Sequence, residues 1–230
     1  MRTAQVTSAE VVGAGVVLVP VGSTEQHGPH LPLGTDTLVA TAVADALAAR
    51  LGPDVPGGAW VAPPVAYGSS GEHQSFPGTV SIGTEALRVV LVELVRSVRT
   101  WCDRVVLVNG HGGNLDAVRG AVEQLTYEGH RVDWVPCAVA GADAHAGRTE
   151  TSLVLHLQPD AVRTALAEAG CTTPVRDLLP ALRAGGVAAV SANGVLGDPT
   201  GASAAEGERL LAAMVDGALA RLRPDVEASA

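Results

Sequence analysis

Short, continuous apolar runs rich in valine punctuate the chain. Four of them read as strands: residues 15–22 (GVVLVPVG), 60–68 (WVAPPVAYG), 104–110 (RVVLVNG) and 132–139 (VDWVPCAV). Continuous rather than alternating hydrophobicity marks strands buried on both faces. Pro63 and Pro64 weaken the second run, because proline gives no hydrogen bond to a ladder. Between the runs lie helical periodicities over residues 36–50, 84–101 and 114–129, and another covers 204–222. Strands alternating with helices predict an α/β fold: a mostly parallel sheet covered on both faces. The Gly-rich stretch 184–204 reads as a functional or interface loop rather than a domain boundary.

The chain's 230 residues suit one domain spanning 1–230 with a substantial core. Aromatics make up only 3% of it, so that core is built from Ala, Val and Leu. The longest apolar run, residues 11–20, is too short to cross a bilayer. It leads directly into a polar cluster rather than a cleavage site, so a first buried strand is the better reading. Net charge is -9, and all fifteen basic residues are arginine. The lack of lysine excludes a P-loop lysine, a Schiff-base lysine and a Ser-Lys dyad. Without a basic run, nucleic acid is not an expected partner, and neither is a membrane. Cys102, Cys137 and Cys171 are far apart and lack CxxC spacing, which implies a reducing cytoplasm and no cysteine ligand or nucleophile.

Chemistry-bearing residues gather where the strands end. The first strand runs into STEQHGPH, the second into GSSGEHQSFPGT, the third into HGGN and the fourth into GADAHAGRTETS. Ligands of parallel sheets bind beyond the carboxyl ends of the strands. Glu25 and His27 share one side of an extended chain, and a Gly/Pro-kinked loop lets Asp36 fold back onto them. The bland alternative is a surface loop in which Thr35 or Asp36 caps the following helix. His111 leaves the third strand, Gly112 and Gly113 allow close backbone approach, and Asn114 is placed to cap the next helix. His145 and Glu150 share one loop, although Glu150 could simply favour a helix dipole. Glu72 and His73 admit three roles: substrate contact, partner of a ligating histidine, or solvated loop. His130 and His156 read as structural. Ser23, Thr24 and Ser152 have no base in a recognisable triad arrangement, which disfavours serine-nucleophile chemistry.

Five ordered stretches, GSTEQHGPHLPLGTDT, GEHQSFPGT, NGHGGN, HAGRTETS and GVLGDPTGAS, together resemble the creatininase family of metal-dependent amidohydrolases, over residues 15–222. The resemblance implies a three-layer α/β/α sandwich, a homo-oligomer and a binuclear site. By that likeness Glu25, Asp36 and His111 hold one divalent ion, while His27 and the bridging Asp36 hold the other. Creatininase itself has a carboxylate two residues after the histidine matching His111, where this chain has Gly113. The expectation is that Glu150 completes the second ion's ligands, with Glu72 as the competitor. The implied chemistry is attack of a metal-activated water on an amide carbonyl, with N–H groups near Gly112 and Gly113 at the oxyanion. His145 would protonate the leaving amine, and Glu72 and His73 join it as candidate catalytic residues. Imidazole and carboxylate ligands suit zinc, iron(II) and manganese(II) alike. Within the family the sequence is most similar to peptidases that release a modified C-terminal Val-Tyr-derived unit from a ribosomally made precursor peptide. Hydrolysis of a small cyclic amide or formamide is the rival enzyme reading. A metal-dependent module that binds peptide without cleaving it is the rival of another class.

Overall fold

The apolar runs become four strands: β1 (Ala14–Val21), β2 (Ala59–Val61), β3 (Cys102–Asn109) and β4 (Val132–Pro136). In the computed structural model, which describes residues 1–227, they form one sheet of order β2-β1-β3-β4. Every pairing is parallel. The order reverses beside β1, since β2 is added on one side of it and β3 on the other. That reversal opens a crevice between the carboxyl ends of β1 and β3, the usual ligand position in such sheets. Val21 pairs with Asn109, so the two strands end level and deliver their following loops to the same edge.

Six helices accompany the sheet: α1 (Thr35–Leu51), α2 (Thr84–Val98), α3 (Leu115–Tyr127), α4 (Arg148–Leu157), α5 (Val175–Gly185) and α6 (Ala204–Glu227). The strands' period of two sorts the core into two layers. Val16, Leu18, Val106 and Val108 face α1, α4 and α6 through Val43, Leu47, Leu153, Val215 and Leu219. Val17, Val19, Val21, Val105 and Leu107 face α2 and α3 through Leu87, Leu91, Val95, Val118 and Leu125. The result is a helix–sheet–helix sandwich, as the alternation predicts. Among the described residues no helix is long and apolar enough to cross a membrane.

Three local expectations need correction. The second strand stops at Val61, well short of residue 68, although Ala62 and Val65 still donate to the Leu18 and Pro20 carbonyls. Between those two donors stand Pro63 and Pro64, which have no N–H to continue the ladder. The fourth strand ends at Pro136, three residues early. Finally, α5 goes unread although Val175, Leu179 and Leu182 share one helical face, because Pro180 inside it argues against a helix; none of its residues is buried.

Candidate functional site

Strand β1 passes into a loop, residues 22–34, that doubles back on itself: Glu25 N–H donates to the Leu33 carbonyl at 3.0 Å and Leu31 N–H to that of His27. The return places Asp36 in the first turn of α1, where His27 Nε2 lies 3.1 Å from Asp36 Oδ1. Neither Thr35 nor Asp36 caps this helix, whose N-cap is Gly34; the Thr35 hydroxyl donates to the Pro32 carbonyl instead. From the end of β3, His111 reaches the same spot. Its Nδ1 is 3.4 Å from Asp36 Oδ2 and its Nε2 is 3.2 Å from Glu25 Oε2. This meeting depends on Gly110. A Cβ there would lie 2.6 Å from the Asp36 carbonyl oxygen, so only glycine lets α1 close onto the strand end.

Glu150 arrives from the first turn of α4, with Oε2 3.8 Å from His27 Nε2 and accepting from Ala146 N–H at 2.5 Å. Ala146 holds φ at 52°, a left-handed conformation that costs a non-glycine residue about 1–3 kcal/mol and aims that N–H. The helix itself is capped by Asp143, whose carboxylate accepts from the Arg148 and Thr149 N–H groups. Capping therefore falls to Asp143, and the Glu150 carboxylate turns inward.

Among the described residues three donor sets result: Glu25–Asp36–His111, His27–Asp36–Glu150 and Glu25–His27–His145, each with its ligand atoms within 4.8 Å of one another. Asp36 is common to the first two. Both Glu25 carboxylate oxygens and Asp36 Oδ2 are buried without a hydrogen-bond partner. Buried anionic oxygens are costly unless a cation or donor compensates them, so the donor set fits a pair of hard or borderline divalent ions.

The imidazoles are oriented by groups outside this cluster. His27 Nδ1–H donates to the Glu25 main-chain carbonyl at 3.0 Å, which leaves Nε2 as the ligand-capable atom. His145 Nε2 donates to the Gln26 carbonyl at 2.8 Å, which leaves its Nδ1 without a proton, 3.7 Å from Glu25 Oε1. The Gln26 side-chain amide donates to His73 Nδ1 at 2.8 Å, so the His73 proton sits on Nε2, 3.4 Å from Glu25 Oε1. His145 lies between His27 and His73, with ring centroids 4.3 and 4.4 Å away. Sequence reasoning passed over Gln26. Its one available signal was a polar residue held between two inward-facing ones.

Proton affinities follow the packing. Burial alone would lower His27, but Asp36, Glu150 and Glu25 raise it to about 10. His111 is likewise raised against burial, by Glu25, Glu72 and Asp36. Burial raises Glu150 to about 7. The Glu25 carboxyl stays far below its usual range because His111, His73 and His27 outweigh burial. Burial and the neighbouring His27 and His73 push His145 well down, keeping it neutral.

Glu72 and His73 form a short helical turn on the other side of His111, with Glu72 Oε1 3.5 Å from His111 Nε2. A Cβ at Gly113 would lie 2.5 Å from His111 Nε2 and 2.6 Å from Glu72 Oε1. A side chain at position 113 would therefore start between His111 and Glu72, the carboxylate that competes with Glu150. Asn114 does not cap α3. Its amide donates to the Gly22 and Asn109 oxygens and accepts from Ser69 N–H, tying three strand-end loops together. His130, past the end of α3, pairs with Glu128 at 3.8 Å, and His156 lies in the last turn of α4; neither belongs to the cluster. Burial pushes the Cys137 thiol up, away from nucleophilic use.

The cluster floors a cleft of about 860 Å³ walled by Val139, Leu153, Leu196, Met214 and one face of α5.

Comparison with known proteins gives the family and the fold. The family model for creatininase, creatinine amidohydrolase, matches residues 1–222. The mycofactocin precursor peptide peptidase of Mycolicibacterium smegmatis is 59% identical over 208 residues, covering 90% of this chain and 84% of that protein. The creatinine amidohydrolase of Pseudomonas putida is 31% identical over 248 residues, covering 93% of this chain and 92% of the relative. A crystal structure of creatinine amidohydrolase superposes with a TM-score of 0.79 at 28% identity, over 98% of this chain and 97% of the other. Solved creatininases include a manganese form and a zinc–zinc form of a mutant. With the sheet, the strand-end loops and these likenesses in agreement, the chain belongs to the creatininase family.

Proposed function

We propose that this chain is a peptidase that cleaves a mycofactocin precursor peptide at a site holding two divalent metal ions. As a creatininase-family hydrolase it is an enzyme acting on C–N bonds. The peptide substrate is supported by the 59% identity over 90% of the chain to a mycofactocin precursor peptide peptidase. The ions are supported by one observation above all: three buried carboxylate oxygens, on Glu25 and Asp36, have no hydrogen-bond partner.

Glu25, Asp36 and His111 would hold one ion; His27, Asp36 and Glu150 the other. When bound, such a pair supplies an acidified water and a Lewis acid for the carbonyl. The protein's own groups do the rest. Gln26 and the Glu25 carbonyl fix the tautomers of His145, His73 and His27, so each imidazole presents a defined atom to the floor of the cleft. His145, neutral and unprotonated at Nδ1, would take up there the proton that the attacking water gives up and pass it to the leaving amine as the C–N bond breaks. The N–H groups of Gly112 and Gly113, at the turn that begins α3, donate to the developing oxyanion. Glu72 holds His111 from the side away from Asp36.

Incubation of the metal-loaded protein with the modified precursor peptide, with products read by mass, tests the proposal. A single cleavage near the carboxyl end supports it. An intact peptide, alongside hydrolysis of a formamide or cyclic amide, replaces it with the small-amide reading.

A further inference from the structure

Helix α5 presents an apolar stripe that the fold does not bury. Val175, Leu179 and Leu182 recur at the spacing of one helical face. Val175 and Leu179 remain 45% and 42% exposed. A helix of 11 residues interrupted by Pro180 is marginal on its own, so such a face ordinarily packs on a core. Here it lines the same cleft as Asp36, His111, His145 and Glu150. The far end of the helix is fastened beside the cluster: Gly186 turns with φ 66°, and a Cβ there would lie 2.5 Å from the Glu72 carbonyl oxygen. Val187, immediately after, is fully buried.

We infer that this face of α5 is a substrate subsite that seats a bulky apolar side chain, aromatic or branched, adjacent to the scissile bond of a peptide. The inference rests on the reading of the cluster as the hydrolytic centre of a peptidase. Two features fix the occupant. The floor of the cleft is polar, while α5 lines it with Val175, Leu179 and Leu182 beside Arg183, which matches a peptide amide carrying an apolar side chain. The volume, about 860 Å³, is near the upper end of ordinary ligand pockets, so a lone cyclic amide would leave the α5 wall untouched.

The test uses metal-loaded protein and two short fluorescein-labelled peptides whose central amide is reduced to a methylene-amine, so that neither can be cleaved. One carries Val-Tyr at its centre, the other Ser-Ser. Wild-type protein is expected to bind the Val-Tyr peptide at least about tenfold more tightly by anisotropy, the scale set by removing one large apolar side chain from water. Val175→Asn with Leu179→Asn should bind both peptides equally, at the weaker level, while Leu179→Phe should keep the preference. Both changed positions are exposed, and Val175→Asn alone provides a second reading if the double variant folds poorly. Equal binding of the two peptides by wild type overturns the inference, as does a preference that survives both Asn variants. A fall in oligomeric mass with the preference intact would reassign the face to contact between copies. Precursor cleavage is scored separately. Preference without cleavage keeps the subsite and sinks the peptidase reading, whereas cleavage without preference removes the subsite alone.

Discussion

Replacing Gly110 with alanine should pull the candidate ligands apart from behind. The new Cβ would sit 2.6 Å from the Asp36 carbonyl oxygen and 3.1 Å from Ala40 Cβ, against an ordinary contact limit near 3.4 Å. Relief requires α1 to retreat from the end of β3 by about 0.8 Å, judged from those contacts. Overpacking of this kind costs about 1–3 kcal/mol. The backbone at Gly110 is not left-handed, so alanine also recovers about 0.4–1 kcal/mol by restricting the unfolded chain. A net loss of roughly 1–2 kcal/mol is therefore expected from urea unfolding of the metal-free protein. The same retreat carries Asp36 away from His111, now 3.4 Å apart, when ligand positions tolerate only about 0.2 Å. Metal affinity, measured by competition with a chromogenic chelator, should fall by at least about tenfold, roughly 1.4 kcal/mol. Gly112→Ala is the control: nothing lies within 4 Å of its Cβ, so its stability should match wild type within about 0.5 kcal/mol. Equal stabilities for the two variants, or full metal affinity in Gly110→Ala, would refute the reasoning.

Asp36→Asn should abolish peptide cleavage with the fold retained, because a neutral amide is a poor bridging ligand; near-normal turnover with metal bound would remove Asp36 from the mechanism. Glu150→Gln should deplete one of two ions by elemental analysis, whereas Glu72→Gln, whose carboxylate borders His111 instead, should weaken the ion held with Glu25. Two ions retained in the Glu150 variant would show that Glu150 is not a ligand. Metal uptake should release protons, since His27, raised to about 10, and His111, also raised, are protonated at neutral pH in the metal-free chain and must lose that proton to ligate. Affinity should therefore rise with pH up to about that value; calorimetry in buffers of different ionisation enthalpy would show no buffer dependence if the reasoning is wrong.

Much of this arrangement is legible in the sequence because it rests on local rules. Valine-rich runs ending in Gly make β1 and β3 visible, and the strand-end rule gathers Glu25, His27, His111 and Glu150 from the sequence alone. What borders Gly113 was not legible, since spacing along a chain does not say which neighbour lies beside a position. Glu72 comes from a different loop, 41 residues earlier. Asn114 was misread for a similar reason: its local role as a cap lost to Asn109 at the end of β3 and to Gly22 and Ser69 on distant loops. Helix α5 escaped because Pro180 lies inside its eleven residues, and an internal proline argues against a helix even where the apolar spacing fits one.

The floor and the α5 wall of the cleft also stand at opposite ends of a scale of local stability. Strand β1 is buried along all eight residues and paired on both sides, so its amides exchange with solvent only when the whole sheet opens. Helix α5 has no buried residue, and its amides should exchange through small local openings. A peptide held against α5 should therefore slow exchange in that wall while leaving the amides of β1 unchanged.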